Sequence, residues 1–359
     1  MTEENSTTSH QSVVMTTEGT DATQTTGGNS MTSSFPAGDG LYWEYAVIFI
    51  GVVGTAGNAL ILYALVASKQ HKKHVLIVNQ NALDLFSSFF LVVTYAVRLC
   101  NIQLTGAFGY WLCKAILNEN LIWWGTNGSM VNLAIITIDR YLKVVHPIWS
   151  RKWLRPWVAY SAAAFSWFVG IAVNMILVFY PSAVIEGLCV SSAMFNNFWA
   201  NMAIVIAYIL FFYLIILVIF IFCYGHILVA IRRQTRVMAT HNTVGTAQQI
   251  QSNQIQSNVI KTMILVSAFY AIAWLPYNVN FMLIMLTFFD SGAYYATTFI
   301  AFFYTGTNPF IYATKFDPVK EILRKMVPWK KVSVQPTDGT AYTTGNRTYD
   351  TRTPGHDRK

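Results

Sequence analysis

Seven apolar stretches, each long enough to cross a bilayer, constrain this chain more than anything else in it. They are Tyr45–Ser68, Val75–Leu99, Leu112–Val145, Trp157–Tyr180, Phe198–Ile231, Val259–Phe288 and Tyr294–Thr314. A helix needs about 20 apolar residues to span a hydrocarbon core of about 30 Å. Inside lipid every backbone polar group must be bonded within the protein, so only helices and closed barrels cross. A barrel would show alternating segments of about ten residues, and this sequence has none. The expected fold is an all-α membrane protein, a seven-transmembrane helix bundle. The third and fifth stretches overrun the membrane and are expected to project as helix into the cytoplasm. Only 11% of residues are charged, where a soluble domain holds about 25%.

Lys and Arg set the orientation. Residues 1–44 contain neither, but do contain Glu3, Glu4, Glu18, Asp21, Asp39 and Glu44. Basic residues fall in alternate connections: Lys69, Lys72 and Lys73; Lys143, Arg151, Lys152 and Arg155; Arg232, Arg233, Arg236 and Lys261; then Lys320, Arg324, Lys325, Lys330 and Lys331. The positive-inside rule places the N-terminus outside and the C-terminus inside. The net charge of +8 is then a topology signal, and no exposed basic domain supports nucleic-acid binding. The polar start offers no cleavable signal peptide. Residues 1–44 read as a disordered extracellular tail, 45–315 as the membrane domain, 316–331 as a short amphipathic eighth helix and 332–359 as a disordered cytoplasmic tail. Asn5-Ser6-Thr7 is the one sequon expected to carry glycan; those at Asn127 and Asn346 fall in a span and in the inner tail.

Each of several spans carries polar residues at a distinct place, and burying them in hydrocarbon costs about 2.5–3.5 kcal/mol for an ionised group. Span one has Asn58, span two Asp84, span three Asp139-Arg140-Tyr141 at its inner end. Span four has Trp167, span six Trp274-Leu275-Pro276, span seven Asn308-Pro309-Phe310-Ile311-Tyr312. Arg140 reads as a switch that pairs with Asp139 at rest; the alternative is an Arg that snorkels to headgroups. Asp84 reads as a cation site with Ser129 and Asn308 as oxygen donors, sodium being the metal that fits; the alternative is a helix–helix hydrogen bond. Pro276 and Pro309 each remove a backbone hydrogen bond and mark candidate hinges. Cys113 and Cys189 face the oxidising side and can bridge, with Cys100 as a rival partner; Cys223 reads as a packed thiol.

Taken in order, these residues carry a resemblance. The chain is similar to class A, rhodopsin-like G-protein-coupled receptors from about Gly57 to Met326. The elements are Gly57-Asn58, Leu83-Asp84, Phe108-Gly109 before Cys113-Lys114, Asp139-Arg140-Tyr141 before His146-Pro147, Trp167, Cys189, Tyr224, Trp274-Leu275-Pro276 and Asn308 to Tyr312. The resemblance implies activation of a heterotrimeric G protein by an extracellular ligand, with arrestin as a further partner. It implies that Asp139, Arg140, Tyr141, Tyr224, Asn308, Pro309 and Tyr312 form the G-protein switch. Trp274 would be the toggle and Pro276 the hinge; Asp84, Ser129 and Asn308 would frame an allosteric sodium site. Cys113 and Cys189 would form the outer disulfide. No other cofactor and no enzymatic activity is implied.

The chain also departs from the pattern. Span five lacks the usual proline, Ile216 standing there, so the bend it makes does not carry over. The interval from Cys113 to Arg140 is two residues longer than usual, which a bulge or a longer turn must absorb. Tyr304 replaces an asparagine often found near the sodium. An amine receptor needs an aspartate in span three; counting from Arg140 reaches Ile122, counting from Cys113 reaches Asn120, and Glu119 is close. An opsin needs a lysine in span seven, where Phe302 stands. Glu119, Ile122, Tyr277, Phe281 and Phe302 are the ligand-pocket candidates, and a peptide is the favoured ligand, with a lipid or small metabolite as alternative. Outside signalling receptors, a decoy or structural seven-span protein is the rival. A transporter would show paired repeats, and a membrane enzyme would show clustered His, Asp or Glu; neither is present.

Overall fold

The protein is described by a computed structural model over residues 12–13, 39–192, 197–240, 247–287, 293–315 and 317–326. Asn5 and the residues beyond Met326 lie outside the described residues. Span one is α1 (Asp39–Ala67) and span two α2 (Val75–Leu99). Span three joins α3 (Gly106–Leu112), a π turn (Cys113–Leu117) and α4 (Asn120–Val145). A short α5 (Pro147–Trp153) leads to span four, α6 (Pro156–Asn174) with a π turn at Met175–Phe179. Span five is α7 (Phe198–Ile209), a π turn (Leu210–Leu214) and α8 (Ile215–Thr240). Spans six and seven are α9 (Ala247–Thr287) and α10 (Ala293–Lys315), and α11 (Asp317–Met326) follows.

Among the described residues six helices are long and apolar enough to cross a membrane. The seventh, α10, has 23 residues, or about 35 Å at 1.5 Å per residue. It is less apolar because it carries Thr298, Thr305 and Asn308 on its buried face. Span three is the central one: 67% of its apolar window is buried, against 17% for span four at the rim. The core joins Ile61, Leu65 and Ile77 to Leu133, Ile136, Tyr224, Met263, Tyr270, Trp274 and Tyr312. Close packing relies on missing side chains at two crossings. A Cβ on Gly170 would lie 2.6 Å from the Trp124 carbonyl, and one on Gly54 would lie 2.5 Å from Ser88 Oγ on span two.

Several boundaries differ from the sequence reading. The first helix begins at Asp39, so the tail ends before residue 44; Leu41 and Tyr42 are apolar residues of its first turn. Within that tail, β1 (Ser12–Val13) pairs with a hairpin of β2 (Ser182–Ile185) and β3 (Leu188–Ser192) in the order β1-β3-β2. The hairpin turns on Glu186 and Gly187, both at positive φ (53° and 80°), the backbone of the tight hairpin turn that favours glycine. Span six starts at Ala247 and not Val259, so it too projects beyond the bilayer. The eighth helix is described over Asp317–Met326, and the rest of the expected 316–331 lies outside the described residues.

The two-residue excess in span three has a visible home. The π turn at Cys113–Leu117 and the left-handed residue Glu119 (φ 60°) absorb it above Asn120. Below that point α4 is an unbroken helix to Val145. Counting back from Arg140 therefore meets no interruption before Asn120, and Ile122 lies within that unbroken helix. Span five is interrupted without its proline: the π turn at Leu210–Leu214 sits just before Ile216.

Candidate functional site

At one end of the bundle, Asp139 and Arg140 sit on the last turns of α4. Arg140 Nε lies 3.8 Å from Asp139 Oδ2, while Lys143 Nζ lies 2.8 Å from the same oxygen. Arg140 Nε is buried without a hydrogen-bond partner. Asp139 is thus shared, and its shorter contact is with Lys143, a residue that the sequence reading did not place in the switch. Tyr141 turns outward, its hydroxyl 3.3 Å from His146 Nε2 and its ring beside Phe222 and His226. Tyr224 points inward and shares hydrogen bonds of 3.1 Å each with Thr137 and Ser267, joining spans three, five and six. Tyr312 is fully buried.

Pro309 has no N–H to give the Thr305 carbonyl four residues back. Asn58 Nδ2 reaches that carbonyl at 3.3 Å and the Gly54 carbonyl at 2.9 Å. An amide on span one therefore satisfies an acceptor that a proline on span seven frees, which explains why a buried Asn is tolerated there.

Mid-bundle, Asp84 is fully buried. Its Oδ1 accepts from Ser129 Oγ at 2.6 Å and its Oδ2 from Asn308 Nδ2 at 2.8 Å. A residue that the sequence reading passed over joins them. Gln80 Nε2 donates to Ser129 Oγ and lies 3.3 and 3.5 Å from the two Asp84 oxygens. Behind it, Asn132 Nδ2 donates to Gln80 Oε1 at 2.8 Å, and Asn79 Nδ2 donates to Asn132 Oδ1 at 2.9 Å. Trp167 Nε1 donates to Asn79 Oδ1 at 2.8 Å. The chain of bonds runs without a gap from span four to span seven. The oxygens of Asp84 and Ser129 suit sodium in kind, but the Gln80 amide nitrogen already stands among them.

Toward the disulfide end, Trp123 gathers an aromatic cluster. Its ring lies 6.1 Å from Trp274, 5.5 Å from Tyr277 and 5.9 Å from Phe302. Tyr277 stacks on Phe281 at 5.9 Å. Ile122 and Phe302 are closed into a second core cluster with Val47, Ile50, Leu91 and Tyr95, so these two candidates pack the bundle. Glu119 is engaged by its neighbours: Arg98 Nη2 and Tyr95 Oη each lie 3.0 Å from Oε1, and Trp123 Nε1 donates to Oε2 at 3.1 Å. Arg98 also donates to the Leu117 carbonyl at 2.7 Å. Glu119 is thus already engaged by partners within the bundle. Cys113 is bonded to Cys189 with Cα atoms 5.3 Å apart, pinning β3 to the top of span three, while Cys100 is exposed and Cys223 buried as free thiols.

The profile of the 7 transmembrane receptor (rhodopsin family) matches residues 57–312. The chain belongs to this family. As a class A receptor it is 25% identical over 298 residues to somatostatin receptor type 5 of Bos taurus, covering 79% of this chain and 75% of that one. It is 27% identical over 295 residues to somatostatin receptor type 2 of Mus musculus, covering 79% and 76%. Melanopsin-A of Gadus morhua is 26% identical over 303 residues, covering 79% of this chain and 53% of that one. The crystal structure of squid rhodopsin has the same fold, with a TM-score of 0.65 at 19% identity over 83% of this chain and 89% of that one.

The receptor's Gln80 had a signal that sequence reading could have used. It lies four residues before Asp84, so the two share one helix face. Lys143 stands four residues after Asp139 in the same relation. Arg98 gave no such signal, because its partner Glu119 lies across a helix interruption.

Proposed function

We propose that this receptor lies in the plasma membrane with its N-terminus outside, binds an extracellular peptide, and activates a heterotrimeric G protein, with arrestin as a second cytoplasmic partner. The observation that carries the reading is the loose hold on Arg140. A guanidinium is always charged and presents a fork of donors. Here it has one carboxylate contact, at 3.8 Å, on an oxygen that Lys143 holds more closely. Such a group is held but ready to turn toward a partner's carbonyls or carboxylate. Span six carries Pro276 inside the helix, two residues after Trp274, so displacement of the aromatic cluster by ligand has a hinge through which to move the inner half of that helix.

The peptide reading is supported by the relatives named for somatostatin, which match over most of their own length. A light receptor is disfavoured although melanopsins also match, because Phe302 fills the site in span seven and packs on Tyr95 and Trp123. The test is expression in cells with biosensors for each G-protein class, challenged with a peptide library. A peptide response lost in Arg140→Ala at equal surface expression supports the reading. A response to lipid or metabolite fractions alone overturns the peptide assignment. A peptide that binds without any G-protein signal marks a decoy.

A further inference from the structure

We infer that the Gln80 side-chain amide takes the place of a cation in the polar core, so that this receptor neither binds sodium at Asp84 nor depends on it. Gln80 Nε2 lies within 3.5 Å of three oxygens, the two of Asp84 and the hydroxyl of Ser129. Those oxygens are the ones that a cation between spans two and three would need. The amide supplies two N–H donors to them, and the positive end of its dipole faces the carboxylate.

The orientation of that amide is fixed by its neighbours. Asn132 Nδ2 donates to the Gln80 carbonyl oxygen at 2.8 Å, so the nitrogen must face Asp84. Asn132 is itself held by the Leu76 carbonyl at 3.0 Å and by Asn79 at 2.9 Å. Turning Gln80 away would break this run of bonds in a dry interior, where each unmade bond costs about 1–3 kcal/mol. On span seven the buried ring of Tyr304, four residues before Asn308, stacks on Phe269 at 6.2 Å and meets Tyr270 edge-on at 5.8 Å. Asp84 keeps Ser129 and Asn308 as strong donors, so its lone pairs are served by protein alone.

The test uses the full-length receptor in nanodiscs and sodium itself as the probe. Thermal unfolding is followed in about 150 mM NaCl and in choline chloride of equal ionic strength, for wild type, Gln80→Leu, Gln80→Met and Asp84→Asn. A ligand that binds only the folded state raises the midpoint. The expected result is no sodium shift in wild type or Asp84→Asn, and a rise of at least about 3 °C in one or both Gln80 variants. Saturable sodium binding to wild type, read by sodium-23 line broadening displaced in Asp84→Asn, overturns the inference. Folded Gln80 variants that remain blind to sodium also overturn it, since Gln80 would not be what excludes the ion. The readout needs neither ligand nor G protein, so its failure leaves the peptide reading untouched.

Discussion

Tyr213 and Tyr270 each donate a hydrogen bond to the backbone of the other's helix. Tyr213 Oη reaches the Ala271 carbonyl at 2.9 Å, and Tyr270 Oη reaches the Phe212 carbonyl inside the π turn of span five. The rings lie 6.2 Å apart and Tyr270 also touches Trp274. Spans five and six are thus cross-braced directly beneath the aromatic cluster.

Removing one hydroxyl should cost about 1 kcal/mol. Tyr213→Phe and Tyr270→Phe should each lower the unfolding midpoint, and the double variant should lose less than the sum, because neighbours in one network couple. Strictly additive losses in a double-mutant cycle would show that the two bonds do not act as a brace.

Asp139 divides its hold between two cations, and the shorter contact is not the one to Arg140. Lys143→Ala should free the carboxylate for Arg140 and lower basal signalling, by about twofold if the exposed Lys143 pair is worth roughly 0.5 kcal/mol. Asp139→Asn should raise basal signalling, and Arg140→Ala should silence the receptor at unchanged surface expression. Biosensor output normalised to surface receptor gives the ranking. Equal basal output from Lys143→Ala, Asp139→Asn and wild type would mean that Arg140 is not restrained by this carboxylate.

His74 stands at the N-cap position of span two, and its imidazole is pushed down to about 4 by burial first, then by Arg140, Lys73 and Lys143. Its folded value lies below the unfolded one, so the unfolded chain binds the proton more readily between the two. Stability from this group is fully present above about pH 6.5, the unfolded value, and is lost as pH falls toward about 4. His74→Gln should flatten the pH dependence of the unfolding midpoint across that window. An unchanged slope would assign the acid sensitivity elsewhere.

Arg98 and Glu119 are both mostly buried, with side chains 18% and 14% exposed. Breaking such a pair by removing one member leaves an uncompensated charge and costs about 3–5 kcal/mol. Arg98→Met should therefore destabilise the receptor strongly, and adding Glu119→Gln should restore part of the loss. If the double variant is no more stable than Arg98→Met, Glu119 is solvated enough to stand alone.

The fold was legible because hydrocarbon imposes its own grammar: apolar runs of fixed length and basic residues at alternate ends. Asp84, Arg140 and Trp274 were legible for the converse reason, each being costly in lipid. What escaped was pairing. Gln80, Asn132 and Asn79 look like ordinary polar residues until three helices bring them into line. Lys143 looked like a topology charge and is also a competitor for Asp139. The hairpin of β2 and β3 escaped because its strands are short, although Glu186-Gly187 between two apolar runs was a usable cue. The second register of span three could not be chosen from sequence, since both counts were sterically open until Glu119 was seen in a left-handed conformation.

The interruption in span five behaves unlike a proline. A proline deletes a donor for good, and the elbow it makes stays where it is. The turn at Leu210–Leu214 keeps all its donors and merely spaces them one residue wider. Such a defect can be wound out or passed along the helix. Winding it out advances everything beyond it by one residue, a rotation of about 100°. Tyr224, now lodged between Thr137 and Ser267, would be unscrewed from its berth by that single step. Lacking a fixed elbow, span five has the geometry of a screw thread.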